Sequence, residues 1–460
     1  MLINPTYLKL NKIPIIFGLI SMLFYGSFAY NLQRTDSIKL ITLYLALFFL
    51  FYKLVQINKS NLKFLTLLAF AFRAVFILAI PNLSQDFYRF IWDGRLILEG
   101  INPYLFTPDS YFLKGEFPFS QAKELHDGMG SLSASHFSNY PPLNQLCFAL
   151  ANLIPGQSIL STVIGLRILI IAADFGTLYF GKKLLKKLKL PTYSIFWYLL
   201  NPFIIIELTG NLHFEGVMIF FLVLSLYLLQ THKWKLAAVI FACSVSIKLI
   251  PLIFLPLVWQ WFIKPQDDNI SNRLKIAKLI GFYSIVGIVT LVLFLPFYSS
   301  EFIDNYAQTV GLWFQNFEFN GSLYYIAREL GYIITGYNQI AIIGTASAIL
   351  VFVFVIGLSL FRKNASMQQL ITAMLFVLSF YYFTATTVHP WYLATLLFLS
   401  VFTKYKFPLV WSLIIILSYL AYANPNNLEN LWLIALEYII VYSVFLYEIF
   451  KTKSVENKFS

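Results

Sequence analysis

Ser84-Gln85-Asp86-Phe87-Tyr88-Arg89-Phe90-Ile91-Trp92-Asp93-Gly94-Arg95, followed by Glu99-Gly100-Ile101-Asn102-Pro103-Tyr104, interrupts a chain that is otherwise mostly apolar. On its N-terminal side stand apolar runs at 13–30, 39–57 and 63–80. Beyond it come further runs near 159–181, 191–208, 214–230, 234–247, 250–263, 276–297, 338–361, 367–388, 391–403, 407–423 and 430–450. Crossing a bilayer takes about 20 apolar residues, so several runs are too short to cross straight. The quoted stretch therefore reads as a loop projecting from a membrane body. The expected fold is an all-α integral membrane protein, a bundle of about 11–14 transmembrane helices. Residues 1–460 form a single polytopic domain; a large first outer loop, 81–142, carries amphipathic helices, and a second long outer loop covers 298–337.

Composition supports the membrane reading. Hydrophobic residues make up 59% of the 460, aromatics 18%, and charged residues only 12%, against about 25% charged in an ordinary soluble domain. The net charge of +12, from 33 Lys and Arg against 21 Asp and Glu, does not indicate nucleic-acid binding, because the bases cluster in short connectors. Lys9 and Lys12, Lys59 and Lys63, Lys182 to Lys189, Lys233 and Lys235, Lys264 to Lys278, Arg362 and Lys363, Lys404 and Lys406, and Lys451 and Lys453 all fall on one side if read as cytoplasmic. Both termini then lie inside, provided 143–154 forms a re-entrant or interfacial helix. The first run lacks a small-residue cleavage site and is expected to be a retained helix. Cys147 and Cys243 sit in apolar surroundings with neither metal-ligand nor disulfide spacing.

With that orientation nearly every unusual polar residue faces outward. Ser84 can cap a helix and Gly100 can end it. Asp86, Arg89 and Asp93 then share one face, with the carboxylates about 10 Å apart along the axis, too far to share a proton. Phe87, Phe90 and Ile91 supply an apolar side suited to the membrane interface. The three charges could equally be an ion-pair ladder that only solvates the helix. Asn139-Tyr140-Pro141-Pro142 forms a rigid corner. Asn211-Leu212-His213-Phe214-Glu215 opens a span, with Glu207 just below; ionisable groups at membrane depth suggest function. A divalent cation on His213 and Glu215 stays open, its other ligands unspecified. Lys248 breaks the positive-inside pattern, either as a snorkelling residue or as a point charge for a phosphate. Asn316 to Tyr325 and His389-Pro390-Trp391-Tyr392 add aromatics mixed with polar groups, which suit both membrane interfaces and pyranose faces. A Gly-rich phosphate loop, a Rossmann fingerprint and a serine nucleophile elbow are missing from the sequence, leaving a cytoplasmic nucleotide site without support.

The run Asp86 to Arg95, Gly100-Ile-Asn102-Pro103-Tyr104 and Tyr140-Pro141-Pro142 together resemble the bacterial mannosyltransferase-like members of the GT-C superfamily of multi-pass glycosyltransferases, which use polyprenyl-phosphate sugars. Here the acidic loop follows the third apolar run, whereas in the superfamily it usually follows the first, so two additional N-terminal helices are implied. The resemblance implies a bacterial plasma (inner) membrane enzyme, active on the periplasmic face. It would move a hexose, most plausibly mannose, from a polyprenyl-phosphate donor to a glycan or lipid-linked acceptor, with inversion. Under this reading Asp86 is the general base and Arg89 and Lys248 hold the donor phosphate. Asp93, Asn102, Tyr104, Tyr140, His213, Glu215, His389 and Trp391 bind substrate, and Asp93, Asn102 and Tyr104 could instead hold the loop. The competing classes are a lipid-linked oligosaccharide flippase or other transporter, expected to carry polar groups near the midplane and internal repeats, and a glycan ligase using a polyprenyl diphosphate, expected to carry more arginines.

Overall fold

A computed structural model describes residues 11–264, 271–315, 317–424 and 426–456, with side chains at 313–315 and 452–456 excepted. Lys9, Asn316 and residues 265–270, within the Lys264 to Lys278 connector, fall outside these residues. The described chain is helical and contains no strand; an isolated parallel bridge joins Phe319 and Thr387.

The first three helices are α1 (Lys12–Asn31), α2 (Ser37–Ile57) and α3 (Leu62–Val75). The first outer loop folds as α4 (Asp86–Leu98), α5 (Pro108–Leu113), α6 (Ala122–Ala134) and α7 (Pro142–Asn152). The body continues with α8 (Ile159–Lys187), a broken stretch Pro202–Gly210, α9 (Glu215–Gln230) and α10 (Trp234–Ile247). After the short helical segment Ile250–Ile263 come α11 (Asn272–Phe294), α12 (Ser300–Gln315), α13 (Leu323–Thr335), α14 (Ile340–Phe361) and α15 (Met367–Thr384). The last are α16 (Leu393–Ser400), α17 (Phe407–Ile414) and α18 (Leu431–Glu456).

Among the described residues, seven helices are long and apolar enough to cross a membrane, or eight if Pro202–Gly210 and α9 form one span bent by 113°. Fourteen runs look apolar in sequence, but Trp234–Ile247, Ile250–Ile263, Pro390–Ser400 and Phe407–Ala423 form helices of only 10–17 residues. At 1.5 Å per residue the 14 residues of α10 extend about 21 Å, less than the roughly 30 Å hydrocarbon core. Apolar composition measures burial in lipid or protein alike, so it overstates the number of long spans. α14 illustrates the lipid-facing kind, with Ile342, Leu350, Phe352, Val353 and Phe361 all exposed, while α15 is mostly buried.

Two buried arginines hold the bundle around its break. Arg73 Nε donates to Asp174 at 2.7 Å, and its Nη1 to the Leu199 and Ala69 carbonyls at 2.7 and 2.9 Å. Arg167 donates to the carbonyls of Thr209 (2.8 Å), Gly210 (3.0 Å) and Ile77 (2.9 Å). The first two close the π-helical turn Ile205–Gly210, whose carbonyls have lost helical partners where the span bends. The break is thus satisfied by a side chain from α8.

The loop helix α4 starts at Asp86, whose amide donates to Ser84 Oγ at 3.3 Å, and ends before Gly100 in a left-handed turn (φ +75°). Its apolar side does not lie on a membrane surface. Phe87, Phe90, Ile91, Trp92 and Leu96 are buried in protein, and Phe90 stacks on Phe148 of α7 at 4.6 Å. Gly94 makes this contact workable: a Cβ there would stand 2.5 Å from the Phe148 carbonyl oxygen and 2.4 Å from Asn152 Nδ2.

Candidate functional site

Asp93 and Arg89 build the loop. Asp93 is fully buried and accepts from Arg89 Nε (2.8 Å), Ser138 Oγ (2.5 Å) and Gln145 Nε2 (3.0 Å). Arg89 Nη1 donates to the carbonyls of Ser133 (2.6 Å) and His136 (3.0 Å). One correction follows: the Arg89–Asp93 ion pair is real but interior, so it does not solvate the helix, and Asp86 takes no part in it. Arg89, expected at the donor phosphate, holds α4 against the end of α6 through Nε and Nη1, while its buried Nη2 has no partner. Arg95 behaves similarly, reaching Asn152, Gln121 and the carbonyls of Ser120 and Gln157.

Asn102 and Tyr104 also tie the loop down. Asn102 Oδ1 accepts from the Tyr104 amide and its Nδ2 donates to the Phe297 carbonyl. The Tyr104 hydroxyl donates to the Tyr140 carbonyl, while its ring packs among Phe297, Phe302 and Tyr306. Their positions fit the loop-holding alternative rather than contact with a sugar.

Asp86 is different. It is half-buried in the first turn of α4, and desolvation pushes its carboxyl up to about 6. Lys248, Arg34 and a hydrogen bond with Ser84 oppose that rise, and Glu215 adds to it. These charges come from the α1–α2 connector, the start of α9 and the end of α10, so the bundle gathers at Asp86 groups far apart in sequence. Lys248 pairs with Glu215 at 2.7 Å, and its ammonium lies 5.9 Å from the Tyr140 ring centre.

Beside this cluster runs a column of rings. His213 stacks on Trp391 (3.8 Å, 13°), Trp391 on His389 (4.5 Å, 5°), His389 on Phe319 (5.1 Å, 28°) and Phe319 on Tyr422 (6.0 Å, 25°). The Arg34 guanidinium caps it, 3.1 Å from the Tyr422 ring centre. The bridge at Phe319 and Thr387 holds the middle of the column. Its outer support is Asn320, whose amide donates to Glu429 (2.7 Å) and whose Nδ2 donates to Glu437 (3.1 Å). Burial, with Lys248 and Arg34 nearby, pushes the His389 imidazole down to about 3, so it is a neutral ring. Several buried polar atoms here lack partners: His213 Nε2, Glu215 Oε2, His389 Nδ1 and Asn211 Nδ2. Buried polar groups are usually satisfied, so such a group of orphans suggests a ligand or water between them.

His213 and Glu215 each face a different partner. His213 Nε2 faces Glu207 at 3.8 Å, Glu207 accepts from the Tyr419 hydroxyl, and Glu215 is engaged by Lys248. Among the described residues no group of three or more His, Cys, Asp or Glu is arranged to hold a metal.

The structure thus gathers Asp86, Tyr140, His213, Glu215, Lys248, His389 and Trp391 at one end of the bundle, while Arg89, Asp93, Asn102 and Tyr104 make hydrogen bonds within and around the first outer loop. Residues 25–263, just over half of the chain, match the family described as alpha-(1->6)-mannopyranosyltransferase, N-terminal domain. The chain belongs to this GT-C family. The family match covers α4, the broken span and Lys248, and stops before the His389–Trp391 segment. A stretch of 190 residues is 22% identical to alpha-(1->6)-mannopyranosyltransferase A of Mycobacterium tuberculosis, covering 41% of this chain and 35% of that protein. The match therefore spans about a third of the relative's length.

Sequence reasoning overlooked Arg34, Tyr419 and Tyr422. Arg34 carried a usable signal: like Lys248, it is a base in a connector on the side otherwise poor in bases. The two tyrosines had none, since interface tyrosines are common in membrane proteins.

Proposed function

We propose that this mannopyranosyltransferase-family chain transfers a mannosyl unit from a polyprenyl-phosphate donor to a hydroxyl of a glycan or lipid-linked acceptor on the outer face of a bacterial plasma membrane. The observation that carries the reading is the meeting of a half-buried carboxylate, Asp86, with two cations, Lys248 and Arg34, beside a column of aromatic rings. Asp86 takes the proton of the acceptor hydroxyl as that oxygen bonds to the anomeric carbon. The bond from that carbon to the donor phosphate breaks on the opposite face, and its electron pair leaves with the phosphate. A carboxyl with its pKa raised to about 6 is a better base than an ordinary aspartate while remaining ionised at neutral pH.

In-line displacement inverts the anomeric centre, so an alpha product, as in the relative's name, requires a beta-linked donor. The rings of Trp391 and His389 offer a flat surface for a pyranose face, and Tyr140, His213 and Glu215 supply polar atoms around it. A small cleft lined by Gly344, Ser347, Ala348, Thr386, Thr387 and Tyr392 lies between α14 and α15, beside the Phe319–Thr387 bridge. Purified protein in detergent, supplied with labelled polyprenyl-phosphate mannose and a mannoside acceptor, should release polyprenyl phosphate and form a mannosidic product. Glucose- and galactose-charged donors measure sugar preference; absence of transfer from every polyprenyl-phosphate hexose would refute the reading.

A further inference from the structure

Arg34 lies in the connector between α1 and α2, the hairpin placed ahead of the acidic loop. Its guanidinium rests on Tyr422 at 3.1 Å, and through Tyr422, Phe319 and His389 it is continuous with the ring column. Among the described residues no carboxylate lies within ion-pair distance of Arg34, and its Nε is buried without a hydrogen-bond partner. Lys248, the other cation facing Asp86, is matched by Glu215 at 2.7 Å. One cation is therefore already countered, while the other has a buried Nε–H donor with no acceptor.

A guanidinium with one face stacked on a ring keeps its edge free, and that planar edge of N–H groups matches two oxygens of a phosphate. An unsatisfied buried donor costs free energy that an incoming acceptor recovers. We propose that Arg34 is the principal binding group for the donor's phosphate, and that it grips the departing phosphate more tightly than the sugar-bearing one; this rests on the polyprenyl-phosphate reading above. The asymmetry follows from charge. The sugar phosphodiester carries one negative charge. When the bond to the anomeric carbon breaks, the electron pair stays on phosphate oxygen, the acceptor proton goes to Asp86, and the polyprenyl monophosphate gains a second charge. A fixed cation thus stabilises the leaving group as it leaves.

The test compares binding of polyprenyl monophosphate and of polyprenyl-phosphate mannose to purified wild type, Arg34→Ala and Arg34→Lys, with thermal unfolding alongside. Arg34→Ala should weaken monophosphate binding by about 10-fold or more and affect the sugar-charged donor less, as expected for loss of a charge-assisted hydrogen bond. Arg34→Lys should recover part of the loss, because charge returns without the planar fork. If Arg34 only pins Tyr422, both ligands weaken equally or neither does, and either result overturns the proposal. Should Arg34→Ala fail to fold, Arg34→Gln removes the charge with more of the stem retained, and the same comparison decides. Wild-type protein that transfers mannose but whose monophosphate affinity is insensitive to Arg34 refutes this inference alone; wild-type protein that neither binds the monophosphate nor transfers from the donor refutes the donor reading as well.

Discussion

Lys248 Nζ stands 2.7 Å from Glu215 Oε1, joining the end of α10 to the start of α9 across the mouth of the broken span. The Glu215 side chain is nearly buried and its second oxygen has no partner. Lys248→Ala should therefore lower stability, by about 1–3 kcal/mol given that the lysine is partly exposed, as well as weaken donor binding. Adding Glu215→Gln should return most of the stability and none of the donor affinity. Thermal unfolding and donor titration on the single and double variants separate the two effects; full donor affinity in the double variant removes Lys248 from the phosphate site.

Asp86→Asn keeps the size and hydrogen bonding of the side chain while removing its basicity. Transfer should fall about 100-fold or more with donor binding retained. A folded Asp86→Asn protein that transfers at close to the wild-type rate would exclude Asp86 as the base.

The pH profile has a definite sign. With its carboxyl raised from 3.8 to about 6, Asp86 is largely protonated below that value, so transfer should climb as pH rises through about 6 and then level off. Glu215→Gln removes a negative charge that raises Asp86 and frees Lys248, which lowers it. Both effects shift the rising limb to lower pH. Folding responds in the opposite sense. The folded state holds this proton more tightly than the unfolded chain, so Asp86's contribution to stability is complete below about 4 and is lost as pH rises through about 6. A limb that stays in place in Glu215→Gln would contradict the electrostatic arrangement around Asp86.

Asp93→Asn and Gly94→Ala should damage the loop before the chemistry. Asp93→Asn leaves the buried Arg89 without its counter-charge, at a cost of about 3–5 kcal/mol. Gly94→Ala drives a methyl into the Phe148 backbone, and overpacking of this kind costs about 1–3 kcal/mol. Both should show lower unfolding temperatures, with activity per folded molecule falling far less than in Asp86→Asn. A stable but inactive Asp93→Asn protein would instead give Asp93 a direct role.

Orientation is open to labelling. Ser110→Cys in the first loop should react with a membrane-impermeant thiol reagent in intact spheroplasts, and Lys186→Cys at the basic end of α8 should not, with Cys147 and Cys243 replaced beforehand. The reverse pattern would invert the topology.

The helical membrane class and the loop helix were legible because apolar length and a capped, Gly-ended segment are local properties. α4 runs from Asp86 to just before Gly100, as its end signals suggested. The number of long spans was less legible: α10 and the helices around Pro251, Pro390 and Phe407 are as apolar as spans but short, and apolarity does not distinguish lipid from protein surroundings. Within the site, Asp86 and Lys248 stood out as charges in the wrong place for a membrane protein. The division of work along α4 did not, since Asp86, Arg89 and Asp93 share a face in sequence and only the packing of α6 and α7 decides which of them is covered. Arg34's place against Tyr422 depends on a contact spanning most of the chain.

Arg167 touches neither the proposed base nor either cation, yet one of its nitrogens holds Ile77, ahead of the Asp86 loop, and two others hold Thr209 and Gly210, ahead of His213 and Glu215. Asn211 adds a second clasp, accepting from the Leu83 amide at 3.2 Å. The spacing between the start of the Asp86 loop and the turn before His213 and Glu215 is therefore set from the interior of α8. If the acceptor binds between these two segments, as proposed, selectivity for its size would be built into the bundle itself.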